Sequence, residues 1–404
     1  MAGSAYGDLG VSSTKEAVHA ATKNNGRGLY PFAFCKINRM RGDKKWVEIM
    51  HADGAGTKTS LAYMYWRETG DMSVWKGVVQ DSIVMNLDDV ACVGGLTGYI
   101  SLASNIDRNS FRIPGEVVAA LIEGENVFLK KMRKHGVYMI GQCGETADVP
   151  DLTKTVVVNN ALSCRMREDR VINNGKISVG DYIVGLSSCG QATYEDEYNS
   201  GIRSNGLTLA RHAVLSEEYR AKYPESYHEE LGDKAYRGTK KLTDMVKVET
   251  GEEISVGKLL LSPTRTYAPI VRVIHKTGLD KCISGMVHNS GGGMTKVMNY
   301  LSKPCAAYKY ALPASPLKEP PAVFDLIRRE GDIEWDEMNR TFNMGCGFEI
   351  YTPHKVIADK IVALAKTFNV DAAVIGKVEP APDGGKYVSV FVGNGSYSQK
   401  IRGA

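Results

Sequence analysis

The chain has no run approaching the roughly 20 consecutive apolar residues that a membrane-spanning helix requires. Its first 22 residues carry acids and polar side chains where a secretory signal would need an apolar stretch. A cytoplasmic protein without membrane contact is therefore expected. Charge of one sign is scarce too: 50 basic residues stand against 46 acidic ones, interspersed along the chain, for a net charge of +4. Such a balance lacks the basic footprint that neutralises many nucleic-acid phosphates, and it excludes a general nucleic-acid binder. The eight cysteines show no Cys-x-x-Cys and no Cys-to-His ligand spacing, so buried free thiols are expected.

The 404 residues, 43% of them hydrophobic, suffice for a sizeable core divided between two domains. Apolar periodicity alternates between strand-like and helix-like, which predicts a mixed α/β fold. In the first half it predicts strands at 46–51, 98–103, 137–140 and 155–164, with helices at 74–93 and 117–135. The turn residues Asn173-Asn174-Gly175 mark a boundary, giving domains 1–174 and 175–404. Strands are predicted in the second half at 182–186, 283–287, 348–351, 372–378 and 387–392, and a helix at 355–368. Further helices are expected to begin near Gly206, Pro263 and Gly293. Residues 217–253 are rich in charge and poor in apolar period, and read as a solvent-facing charged insertion without catalytic role.

Five segments carry the chemistry. His51-Ala52-Asp53-Gly54-Ala55-Gly56-Thr57-Lys58-Thr59 follows a strand and precedes a helix. Glycines admit an anion close to the backbone, the helix start offers free N–H groups, and Lys58 adds a charge. No glycine directly precedes Lys58, so this is not a Walker A loop, and a plain strand-to-helix turn fits it equally. On the 74–93 helix, Asp81 and Asp88 project from nearly one face with Asp89 beside them. Acids on so apolar a helix call for a cation, and magnesium shared with nucleotide phosphates meets that need. A solvated acidic face is the alternative. Gly141-Gln142-Cys143-Gly144-Glu145 places a carboxylate beyond a strand end, where it can join the same metal. Arg203-Ser204-Asn205-Gly206 and His288-Asn289-Ser290-Gly291-Gly292-Gly293 each set small residues at a helix start, suited to a phosphate, although Ser204 also fits a simple N-cap. His288 can move a proton near neutral pH or serve as a satisfied structural histidine.

Together with Pro263-Thr264-Arg265 and Glu337-Met338-Asn339-Arg340-Thr341-Phe342-Asn343-Met344-Gly345, these motifs occur in the order seen in the AIR (aminoimidazole ribonucleotide) synthetase family, which the chain resembles over most of its length. The resemblance implies an N-terminal ATP- and magnesium-binding domain whose sheet pairs into a barrel across a homodimer, and a C-terminal α/β domain with the substrate contacts. It implies ATP-dependent closure of formylglycinamidine ribonucleotide to aminoimidazole ribonucleotide through a phosphorylated amide oxygen. The roles it implies are Asp53, Asp81, Asp89 and Glu145 on magnesium; Gly26, Gly28, Gly54, Gly56, Thr57, Lys58, Asp89 and Gly144 on ATP; and Ser204, Asn205, Thr264 and Arg265 on the substrate. Lys58 and His288 are the expected catalytic side chains. The stretch Asn24-Asn25-Gly26-Arg27-Gly28 resembles the family's mobile glycine segment.

Three departures stand out. Cys143 replaces a glycine, Arg203 replaces a histidine, and residues 191–202 form a polar insertion. They leave room for a nucleotide-binding paralogue without turnover. Other ATP users of the superfamily, selenophosphate synthetase, thiamine-monophosphate kinase and formylglycinamidine ribonucleotide synthetase, share the acidic pattern.

Overall fold

The computed structural model describes residues 5–11, 20–22, 25–310, 320–381, 383–392 and 395–401. Its first sheet is built from β1 (Ile37–Arg39), β2 (Trp46–Gly54), β3 (Ile100–Arg108), β4 (Met139–Asp148) and β5 (Val156–Arg167), in the order β1-β2-β5-β3-β4. Only β3 and β4 pair in parallel. Helices α1 (Lys58–Thr69), α2 (Ser73–Ala91) and α3 (Gly115–Lys134) fill the connections. On β5 burial alternates strictly, so one face of the sheet is covered, by α2 and α3, and the other is open. Most of α2 is buried, which is why its sequence is apolar nearly all round. Its close crossing with α3 requires Gly124, where a Cβ would come within 2.8 Å of Lys76 Cα and Val79 Cγ1.

The second sheet contains β6 (Tyr182–Ser187), β7 (Gly285–His288), β8 (Cys305–Tyr310), β9 (Cys346–Thr352), β10 (Ala372–Glu379), β11 (Lys386–Val392) and β12 (Gly395–Ile401). Their order is β7-β9-β6-β10-β8-β11-β12, antiparallel except for the β8–β11 pair. Among its helices are α4 (Leu207–Val214), α5 (Ala268–Thr277) and α6 (Lys355–Thr367). Gly206 takes φ 81° at the N-cap of α4.

The helix expected to begin near Pro263 instead starts at Ala268. Residues 263–267 stay outside any helix or strand, held by α2. Asp81 accepts from the Thr264 N–H and hydroxyl at 2.7 and 2.5 Å, and Asp88 accepts from Thr266 Oγ1 at 2.6 Å and the Tyr267 N–H at 3.1 Å. Residues 217–253 carry exposed charge but also an anchor. Tyr219, Tyr223 and Tyr236 are buried, and the Tyr223 ring meets Tyr63 of α1 edge-on at 6.1 Å. Tyr219 and Tyr223 stand one helical turn apart, but their helix, Glu218–Lys222, is too short to register as an apolar period, so the pattern concealed this packing.

Candidate active site

The strand-to-helix turn after β2 is compact. A Cβ at Gly54 would lie 2.0 Å from Asn159 Oδ1, and Gly56 takes φ 61°. Thr57 Oγ1 bonds Thr208 Oγ1 of α4 at 2.8 Å, joining the turn to the second half of the chain. Lys58, the first residue of α1, is fully buried rather than presented to a ligand. Its ammonium meets Asp81 Oδ2 at 2.9 Å and Oδ1 at 3.0 Å, the Arg203 carbonyl at 3.2 Å and the Ser262 carbonyl at 2.5 Å. All three N–H donors are thereby used. Burial lowers the Lys58 pKa while Asp81 opposes that shift.

Asp81 is correspondingly committed to Lys58 and Thr264. Arg265, expected on substrate, is buried in an ion pair with Glu195 at 2.5 Å and donates to the Ser187 and Cys189 carbonyls at 3.0 and 2.8 Å. Glu195 belongs to the polar 191–202 insertion, and Tyr194 in the same segment donates to the Thr266 carbonyl at 2.7 Å. The insertion thus braces residues 264–266.

The four expected magnesium carboxylates do not converge. Asp53, in register with Asn160 and through it with Ser104 and Gly144, lies on the helix-covered face at the end of β2. Glu145 pairs with Asn105 one position on, which turns it to the open face of edge strand β4. Among the described residues no three His, Cys, Asp or Glu side chains are grouped to hold a metal ion. They do not fit a metal cage built by the protein alone.

Asp89 instead joins two histidines. Its Oδ1 lies 2.6 Å from His288 Nδ1 and its Oδ2 3.2 Å from His51 Nε2. Burial would raise the Asp89 pKa, but the hydrogen bonds from His288 and His51 win and hold it well below the usual carboxylate range. The partners assign the protons. Arg203 Nη2 contacts His288 Nε2 and can only donate, so His288 carries its proton on Nδ1 and gives it to Asp89. Burial and the Arg203 charge push His288 down to about 4, keeping it neutral. Asn86 gives its Nδ2 to the carbonyls of Ser82 and Asn160, at 2.9 and 3.1 Å, which leaves Oδ1 to accept from His51 Nδ1 at 2.9 Å. With acceptors on both ring nitrogens, His51 is an imidazolium. Burial works against its charge, yet Asp89 outweighs burial and raises His51 to about 9.

Arg203 itself is buried at φ 66°, donates to the Gly347 carbonyl at 2.9 Å and stands 3.6 Å from Asp88. Burial pushes Asp88 up to about 7 against the opposing pull of Arg203, Thr266 and Tyr267. Ser204 Oγ and Asn205 Oδ1 follow it, both buried atoms without a hydrogen-bond partner among the described residues. Asn205 meets the glycine turn of residues 291–293, where a Cβ on Gly291 would touch its Nδ2 at 3.4 Å. Gly26 and Gly28 are exposed beside β1, and Gly144 is exposed on β4; Asn24 lies outside the described residues. A separate cavity of about 590 Å³ between α2, α3 and residues 194–199 is lined by none of the expected site residues.

The family model described as AIR synthase related protein, N-terminal domain, matches residues 35–162, which span β1 to β5 and include His51, Asp53 and Asp89. The chain is 28% identical over 339 residues to phosphoribosylformylglycinamidine cyclo-ligase of Methanocaldococcus jannaschii, covering 82% of this chain and 77% of the relative. The chain is thus similar to AIR synthase related proteins over its first sheet and to this cyclo-ligase over most of its length. A second relative of the same name, from Alkaliphilus metalliredigens, is 28% identical and covers 83% of the chain and 81% of its own length. Among solved structures, phosphoribosylformylglycinamidine synthase II of Thermotoga maritima shares the fold with TM-score 0.55 and 11% identity, covering 98% of this chain. The chain spans about half of that protein, 50% of its length. A HypE–HypF complex matches with TM-score 0.53 and 10% identity, over 95% of this chain and 98% of the other. The Asp89–His288 contact joins two residues of the motifs that resemble the AIR synthetase family, whereas His51 opens the segment 51–59 with no role expected of it. The signal that could have given His51 a role was its parity with Asp53 on a strand facing α2.

Proposed function

We propose that the chain is a phosphoribosylformylglycinamidine cyclo-ligase, using ATP to close formylglycinamidine ribonucleotide into aminoimidazole ribonucleotide. The observation that carries this reading is the alignment of relatives bearing that name over most of the chain. An amide-type oxygen leaves poorly. Transfer of the γ-phosphoryl group of ATP onto it releases ADP and makes the oxygen a leaving group. The substrate's own nitrogen then attacks that carbon, the C–O bond breaks, and phosphate departs as the five-membered ring closes. Since the attack is intramolecular, the protein's work is positioning and charge neutralisation.

In this reading the turn at residues 53–57 and the start of α1 receive the nucleotide phosphates, with Gly26, Gly28 and Gly144 as further nucleotide contacts. The His51 imidazolium supplies the nearby positive charge that Lys58 does not present. Ser204, Asn205 and the glycine turn 291–293 receive the phosphate of the ribonucleotide. Lys58, Thr264 and Arg265 hold these parts in place from behind, and Asp89 keeps His51 charged and His288 oriented. Asp53, exposed at the end of β2, would be the carboxylate to meet magnesium carried by the nucleotide, and the ion would share the phosphate charge. A homodimer through the open face of the first sheet completes the reading, for Met50 (74% exposed), Val157 and Ile140 leave apolar side chains uncovered there.

Phosphate release from ATP, measured with and without formylglycinamidine ribonucleotide, tests the proposal. Release that requires the ribonucleotide, matched mole for mole by aminoimidazole ribonucleotide, is expected. Binding of both substrates without release would reduce the chain to a paralogue without turnover.

A further inference from the structure

A second buried ion pair lies away from the histidine cluster. Lys309 of β8 and Glu349 of β9 are both fully buried, and Nζ stands 2.8 Å from each carboxylate oxygen. Their strands are not neighbours, because β6 and β10 run between them. The register partner of Glu349 on β6 is Gly185, and that of Lys309 on β10 is Gly376. Neither position adds a side chain between the pair. Such an arrangement is costly unless the remaining donors and acceptors are satisfied. Here they are satisfied by the two ends of one loop. Lys309 Nζ donates to the Met294 carbonyl at 2.9 Å, and Glu349 Oε1 accepts from Asn289 Nδ2 at 2.9 Å, while Tyr351 OH supports Oε2 at 2.5 Å.

Between those anchors lies the glycine turn. Within it the Gly293 N–H bonds the Ser290 carbonyl at 2.9 Å, and a Cβ on Gly293 would strike the Phe342 carbonyl at 2.3 Å. The same Asn289 amide nitrogen also donates to the Cys346 carbonyl at 2.9 Å. With that nitrogen engaged twice, the orientation of the amide is set and its Oδ1 is left without a partner among the described residues.

We propose that the Lys309–Glu349 pair is a positioning device that clamps both ends of the 289–294 turn, so that its backbone donors are preformed for the phosphate of the ribonucleotide. Neither side chain touches the substrate. This rests on the assignment of that turn to the ribonucleotide, and it adds the reason for an ion pair in the core of the second sheet. A preformed turn spares the ordering cost on binding, so loss of the clamp weakens the ribonucleotide and leaves ATP alone.

The test uses the double variant Lys309→Met/Glu349→Met, which removes both charges together and avoids leaving one buried alone; folding is checked by circular dichroism and thermal unfolding. In the folded variant KM for formylglycinamidine ribonucleotide is expected to rise about 10- to 100-fold, with KM for ATP unchanged. An unchanged ribonucleotide KM, or equal rises for both substrates, overturns the proposal. Should the unsubstituted protein fail to close the ring, the functional reading fails by itself. The clamp is then judged on inorganic phosphate: the double variant must bind it at least about tenfold more weakly, and equal binding overturns the clamp as well.

Discussion

At the residue scale the decisive feature is one carboxylate shared by two histidines in opposite states. Asp89 faces a protonated His51 and a neutral His288, and the difference comes from their other partners, an amide oxygen against a guanidinium. Asp89→Asn removes the charge that sustains the imidazolium, and kcat/KM for ring closure is expected to fall about 100-fold or more in steady-state assays, with the oligomeric state unchanged. A pH dependence follows from His51. Its folded value of about 9 lies above the ordinary 6.5, so its contribution to stability is complete below the ordinary value and is lost as pH rises through 9. The size is at most about 3 kcal/mol. Thermal unfolding from pH 7 to 10 should therefore show a steeper loss of Tm in the native protein than in His51→Asn. Parallel curves for the two would show that His51 is not charged in the fold.

At the element scale, α2 is a beam whose acids grip the irregular 263–267 segment and the ammonium of Lys58. Lys58→Met leaves Asp81 buried without its counter-charge and is expected to destabilise the protein by about 3–5 kcal/mol in denaturant titration. A lysine serving only a phosphate would leave stability nearly unchanged. Much of this architecture was legible. Helices predicted at 74–93 and 117–135 are found at Ser73–Ala91 and Gly115–Lys134, and the strand predicted at 372–378 at Ala372–Glu379, because apolar period and turn residues report burial directly. Three acids at helical spacing were legible as a cluster, but their partners were not. Thr264, Thr266 and Lys58 come from segments far away in sequence, and periodicity within one helix cannot show which distant backbone donors arrive to meet it. The same limit hid the helix start at Ala268, the Arg265–Glu195 pair and strand β8 with its buried lysine. Register likewise separated Asp53 from Glu145, since one residue of offset turns a side chain to the other face.

On the scale of the whole molecule, the two sheets are joined by buried polar contacts, and the open face of the first sheet carries the uncovered Met50. Placing a charge there by Met50→Lys is expected to shift sedimentation from dimer toward monomer without changing the folded circular dichroism spectrum. A native protein that sediments as a monomer at all concentrations would remove the dimer from the proposal. The grip of α2 on the chain after Ser262 bears on motion. Swinging the halves apart would strip Asp81, Asp88 and Lys58 of acceptors and donors at once, in a dry interior where each loss is severe. Opening and closing during a catalytic cycle must therefore fall to the peripheral turns, so entry of substrate and exit of product are gated by short loops moving over a rigid frame.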